Sequence, residues 1–257
     1  MAGHGSAERR VQRWGGSIIS QRWVLTAAHV LQGADGDFYD RKTITVLAGV
    51  IKRPTEAQTV PPALEIENYI VHSDYKTEVG VPSFDIALLR MKEDIVFDHK
   101  RRPVCLPCTV GVSEVLPLPS QNWTSRCHHQ DMVLTGLGGA DYRAVSGFVS
   151  GWGLTEKSPW ASEDLVHGAI SVQPRELCGA ALVNEGVFCA NSVGVDACKG
   201  DSGGPFVIKR NGRWIQIGIV SYGSSYWCMN GTMGFYTSLP KFMPWIREQV
   251  GTDLVYT

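Results

Sequence analysis

Short apolar or alternating runs recur along the chain: Ile44 to Leu47, Tyr69 to His72, Ile86 to Leu89, Phe148 to Ser150, Phe206 to Ile208 and Ile215 to Ser221. Between them glycine and proline, 28 and 13 residues, punctuate the whole sequence. Many short strands with frequent turn signals predict an all-β chain, an antiparallel sandwich or barrel rather than strands alternating with long helices. One helix is predicted at the end, where Phe242, Trp245, Ile246 and Val250 fall near one face and Gly251 is a natural stop. From Pro103 to about Gly147 the pattern breaks down. That stretch holds four prolines with Cys105, Cys108 and Cys127, and reads as an irregular connection between two β-rich halves. The expected organisation is a first half over 1–104, a connecting segment over 105–146 and a second half over 147–257.

At 257 residues, 44% hydrophobic and 19% charged, the chain can bury one or two cores; disorder and fibrous arrays are excluded. The net charge of −1 is spread along the sequence, and the strongest basic cluster, Lys100-Arg101-Arg102, reads as a solvated loop. Neither nucleic acid nor an anionic membrane is expected as a partner. No stretch of about 20 apolar residues is present to span a bilayer. Seven cysteines, several beside turn residues, predict a disulfide framework with one left over. The start, Met1-Ala-Gly-His-Gly-Ser, lacks the pattern of a secretory signal peptide. The two observations agree if these residues are the C-terminal part of a longer secreted precursor, or a reading that begins too late, and an extracellular protein is expected.

Three segments carry candidate chemistry. Trp23-Val24-Leu25 is a strand that runs into Thr26-Ala27-Ala28-His29, a small-residue turn able to present an imidazole. Phe84-Asp85-Ile86-Ala87-Leu88-Leu89 sets one carboxylate at the head of an apolar strand, where burial is costly unless a partner holds the charge. Each alone has an ordinary structural reading, a core histidine and a turn aspartate. The third, Asp196-Ala197-Cys198-Lys199-Gly200-Asp201-Ser202-Gly203-Gly204-Pro205, surrounds one serine with glycines and two aspartates and is far more specific.

In the order His, Asp, Ser these motifs resemble the chymotrypsin family of serine proteases. The likeness runs from Trp14-Gly15-Gly16-Ser17 through Ser150-Gly151-Trp152-Gly153 and Ser221-Tyr222-Gly223 to Trp245-Ile246. It implies two six-stranded antiparallel Greek-key β-barrels and a C-terminal helix. It also implies a serine endopeptidase with Ser202 as nucleophile, His29 as general base and Asp85 as the group that fixes the imidazole. The backbone N–H groups of Gly200 and Ser202 form the oxyanion hole on this reading, and Ser221 hydrogen-bonds the triad aspartate. Asp196 matches the base of the primary pocket, with Gly223 and Gly234 as its walls. Protein substrates cleaved after Arg or Lys are therefore expected, and no cofactor is needed.

The resemblance also implies disulfides Cys178–Cys189 and Cys198–Cys228, while Trp14 and Val30 stand where a further bridge around the histidine is usual. Pro103 to Cys108 followed by Cys127 resembles complement factor B. So do the insert Glu78 to Ser83 and the four residues between Gly223 and Cys228. There the pair matching Cys108 and Cys127 closes an extra loop and the cysteine matching Cys105 ties the domain to upstream regulatory sequence, which points to a complement-like cascade. Ser150 to Gly153 and Asp196 are more like an ordinary trypsin. The family's activating N-terminus, which pairs with the carboxylate matching Asp201, has no counterpart in Ala2 to Arg13, so the first barrel is expected to be incomplete. A truncated, inactive fragment or a protease-like binding module is the rival reading.

Asn122-Trp123-Thr124 and Asn230-Gly231-Thr232 fit the glycosylation sequon. Cys127-His128-His129 lacks a second ligand pair, and no metal is expected. The stretch from Gly49 to Glu67 lacks the early carboxylate of the family's calcium loop, and Met233 replaces the tyrosine associated with sodium.

Overall fold

The computed structural model describes residues 12–54, 63–107, 145–155, 158–179, 186–223 and 232–254. Four strands open the chain, β1 (Ser17–Ile18), β2 (Trp23–Thr26), β3 (Thr45–Val46) and β4 (Leu64–Val71). A small hairpin, β5 (Lys76–Glu78) and β6 (Val81–Ser83), precedes β7 (Ala87–Met91). The first half is an open antiparallel sheet in the order β1-β2-β7-β4-β3. Five strands are thus in place, and the sheet does not close among the described residues, in keeping with an incomplete first barrel. Its centre is β2 and β7, whose Trp23, Val24, Leu25, Leu88 and Met91 are buried. Pairing of Thr26 with Ala87 brings the residues after β2 and those before β7 to the same end of the sheet. That register sets His29 and Asp85 side by side.

The second half contains β8 (Ser146–Gly151), the short pair β9 (Leu154–Thr155) and β10 (Ser158–Ala161), β11 (Val166–Val172) and β12 (Val187–Asn191). It continues with β13 (Pro205–Arg210), β14 (Arg213–Gly223) and β15 (Gly234–Ser238). Six of these close a barrel in the order β11-β12-β15-β14-β13-β8. The serine segment leads directly into β13. Pro205 pairs with Ile219, and Gly223 with Gly234, so the serine loop, the end of β14 and the start of β15 converge at one rim.

Helix α1 (Leu239–Val250) follows β15, with Pro240 in its first turn, where a missing N–H costs nothing. It ends at Gly251, whose φ of 62° suits glycine. Although it follows the second barrel in the chain, α1 buries Phe242, Met243 and Ile246 in the core of the first half, beside Trp23, Leu25 and Ile219. Each such side chain contributes about 1.5–3 kcal/mol. The second barrel has its own core of Val149, Ile170, Phe206, Ile217 and Tyr236. No helix of the described residues is long and apolar enough to cross a membrane.

The insert read from Glu78 to Ser83 is the turn and second strand of the β5–β6 hairpin, with Val79 and Gly80 both at positive φ. The connecting segment is pinned at its start to β14, where the Cys105 N–H donates to the Trp214 carbonyl and its carbonyl accepts from Gln216. Cys178 and Cys189 are joined by a disulfide. Cys198 is also disulfide-bonded. Cys228, Cys108, Cys127, Asn122 and Asn230 lie outside the described residues.

Candidate active site

His29 is delivered by β2. After Thr26 the chain passes through fully buried Ala27 and Ala28 into a single 3-10 turn, His29–Leu31, anchored in the core by Val30 and Leu31. The small side chains let the turn fold tightly against the sheet. Asp85 is held by a tighter device. Phe84 before it has a φ of 52°, and the Ile86 N–H closes back on the Phe84 carbonyl at 2.8 Å. A bulky residue in this left-handed region costs of the order of 1–3 kcal/mol. Contacts of the Phe84 ring with His72 and Phe242, at centroid distances of 5.1 and 6.1 Å, fasten the turn against α1.

The Asp85 carboxylate is 2% exposed and hydrogen-bonded from three sides. The His29 N–H donates to Oδ1 at 2.9 Å, His29 Nδ1 lies 2.7 Å from Oδ2, and Ser221 Oγ donates to Oδ2 at 2.5 Å. Thr237 Oγ1 donates to the Asp85 carbonyl at 2.9 Å. Two strands of the second barrel thus grip an aspartate of the first half. Burial pushes the Asp85 carboxyl up, but the His29 ring, its hydrogen bond and those from Ser221 and the His29 N–H outweigh it and hold the group below its ordinary value. An ionised carboxylate can only accept, so Nδ1 carries a proton and the neutral imidazole keeps its lone pair on Nε2.

The serine segment is a knot of short hydrogen bonds. The Asp201 N–H donates to the Cys198 carbonyl at 2.9 Å, that of Gly203 to Val220 at 2.9 Å, and that of Gly204 to Asp201 at 2.8 Å. Gly200 has a φ of 101°, and a Cβ there would sit 3.1 Å from the Gly153 Cα. The N–H groups of Gly200 and Ser202 find no acceptor among the described residues. The Ser202 carbonyl accepts from the Gly15 N–H at 2.8 Å, which ties the serine to the first half. Ser202 Oγ forms no hydrogen bond with His29. Asp201 turns away from the serine. Its oxygens accept from Gly153 at 2.7 Å and Cys198 at 2.9 Å. Burial raises the carboxyl above its ordinary value despite these two bonds, and it makes no ion pair among the described residues.

Beside Ser202 opens a cavity of about 210 Å³, lined among others by Asp196, Ser221, Gly223, Gly234 and Tyr236. Thr232 Oγ1 donates to Asp196 Oδ2 at 3.2 Å. A Cβ on Gly234 would lie 3.0 Å from Asp196 Oδ1 and 2.9 Å from the Tyr236 hydroxyl, so glycine keeps the carboxylate open to the cavity. A methyl group at this position, as in Gly234→Ala, would crowd both groups and take space from the cavity. Sequence reasoning missed Tyr236, two positions beyond a pocket glycine, and met Thr232 only as the last residue of a sequon.

The family model described as Trypsin matches residues 6–125 and 137–246. Over 257 residues the chain is 31% identical to an ovochymase of Halocynthia roretzi, a match that takes in 94% of this chain. The chain spans only 14% of the length of that relative.

Proposed function

We propose that this chain, which belongs to the trypsin family of serine proteases, cleaves protein substrates after Arg or Lys by acyl-enzyme catalysis. The observation that carries this reading is the ionised, buried Asp85 bonded to His29 and Ser221, together with a cavity lined by Ser202, Ser221 and Asp196. Ser202 attacks the scissile carbonyl while Nε2 of His29 takes its proton, and Asp85 stabilises the imidazolium that forms. The oxyanion is received by the N–H groups of Gly200 and Ser202; each such donor is worth about 2.7–4 kcal/mol. Asp196 pairs with the substrate cation.

A secreted setting, with glycans on Asn122 and Asn230 and the disulfides Cys108–Cys127 and Cys198–Cys228, belongs to the same proposal. So do the division at 105–146, the tether through Cys105 and a complement-like cascade suggested by the connecting segment. One observation favours the rival reading, an inactive protease-like module: the Asp201 carboxylate is buried with no cation beside it among the described residues.

A fluorophosphonate separates the two. Stoichiometric labelling of Ser202, absent in Ser202→Ala, together with hydrolysis of Arg and Lys esters over a Phe ester, is the expected result. No labelling and no ester hydrolysis would leave the binding module. A preference for Phe would remove the role given to Asp196.

A further inference from the structure

Trp14 stands where the family resemblance expects a cysteine, and its indole is 41% exposed at the edge of the His29 ring, with centroids 6.2 Å apart and planes at 75°. Resting on the protease reading, we propose that Trp14 is the apolar wall of a subsite for the residue that follows the scissile bond, so that a large apolar side chain such as Leu or Phe is preferred there.

The side of the site on which Trp14 lies follows from the proton's route. The substrate residue before the scissile bond puts its side chain into the cavity beside Ser202, and Trp14 is not among that cavity's lining residues. As the bond from Ser202 Oγ to the carbonyl carbon forms and the carbon–nitrogen bond breaks, the proton taken from Oγ passes through His29 to the departing amine. The leaving half of the substrate must therefore lie over His29. The ring that touches His29 from outside the cavity is the ring this half meets.

The segment that carries Trp14 is hydrogen-bonded on both flanks. Gln12 Oε1 accepts from the Tyr39 hydroxyl at 2.9 Å. On the other flank the Gly15 N–H donates to the Ser202 carbonyl and the Gly15 carbonyl accepts from Thr26 Oγ1, both at 2.8 Å. An indole held one residue from a contact with the nucleophile's own carbonyl offers a fixed apolar face, and its ordering cost is met before substrate arrives.

Partitioning of the acyl-enzyme tests this with the full chain. The enzyme is acylated with an Arg ester, glycinamide, leucinamide or phenylalaninamide is added, and amide product is measured against hydrolysis. Leucinamide and phenylalaninamide should capture the acyl group about 5–10-fold better than glycinamide. In Trp14→Ala that ratio should fall towards one, and in Trp14→Phe much of it should remain. Trp14→Gln replaces the alanine variant should the latter not fold, with the same collapse expected. A wild-type ratio near one, or a ratio unchanged in the alanine or glutamine variant, overturns the subsite alone. An Arg ester that is not hydrolysed at all overturns the protease reading and the subsite with it.

Discussion

On the proposed mechanism, replacing Asp85 by Asn should lower kcat/KM for an Arg ester about ten-thousand-fold while the protein still folds. The size of the effect comes from the proton on His29. In the native site Oδ2 of an ionised carboxylate faces Nδ1 at 2.7 Å, so the proton sits on Nδ1 and Nε2 is left with the lone pair that the proposed mechanism uses as base. Asparagine has one acceptor oxygen, and the His29 N–H and the ring compete for it. With the amide NH2 towards Nδ1, the imidazole moves its proton to Nε2 and cannot take one from Ser202. The imidazolium of the transition state also loses the charge that stabilises it. Shape and volume hardly change, and Ser221 can rotate its hydroxyl to accept. Fluorophosphonate labelling, circular dichroism and ester kinetics on the same preparation separate loss of the base from loss of the fold.

The same substitution changes acid stability in a definite direction. The carboxyl of Asp85 is depressed from its ordinary 3.8. Its charge therefore contributes stability that is present in full above that value and is lost as pH falls through 3.8 towards the folded value. An asparagine side chain at this position does not ionise over that range. Melts at pH 7 and pH 3 should differ less for Asp85→Asn than for the native chain, and an equal or larger difference would show that Asp85 is not the depressed group.

The residues around Ser202 were legible because backbone need and chemistry coincide there: glycines at positive φ, and small residues where two halves meet, leave a dense local motif. The strand core was legible where apolar runs are buried, as in β7 and β14. Other parts were hidden for physical reasons. β4 extends back to Leu64, beyond the run read from Tyr69, because the exposed Glu65, Glu67 and Asn68 dilute the pattern. β11, Val166–Val172, is half exposed and interrupted by Gly168, into whose missing side chain Val195 packs. The partner of α1 could not be read from its periodicity, since an apolar face does not say which core it enters. Thr232 and Trp14 reach the site only through folding: their local sequence marks Thr232 as part of a sequon and Trp14 as the place of a missing disulfide, and neither signal points to the cavity.

On the proposed reading, replacing Asp196 by Ser should lower kcat/KM for Arg and Lys substrates about a thousandfold and leave that for Phe substrates largely in place. A guanidinium about 4 Å from the carboxylate gains roughly 4 kcal/mol at an effective dielectric of 20, whereas a methylene of apolar fit is worth about 1–3 kcal/mol. Charge therefore decides between a long cation and a long neutral side chain of the same shape. Citrulline, the neutral isostere of arginine, isolates that term: the native enzyme should prefer Arg over citrulline by about the same thousandfold, and Asp196→Ser should barely distinguish them. Thr232 donates to Oδ2, and the Tyr236 hydroxyl borders the cavity without a hydrogen-bond partner among the described residues. Serine in place of Asp196 keeps a polar group between them, so the pocket need not collapse. The salt response gives a second reading of the same cause. A pair inside the cavity is screened far less than one on the surface, so the preference for Arg over citrulline should hold as salt rises from about 0.05 to 0.5 M, about a threefold drop in Debye length. A preference that falls away over that range would place the recognising charge on the rim, and Asp196 would lose its role.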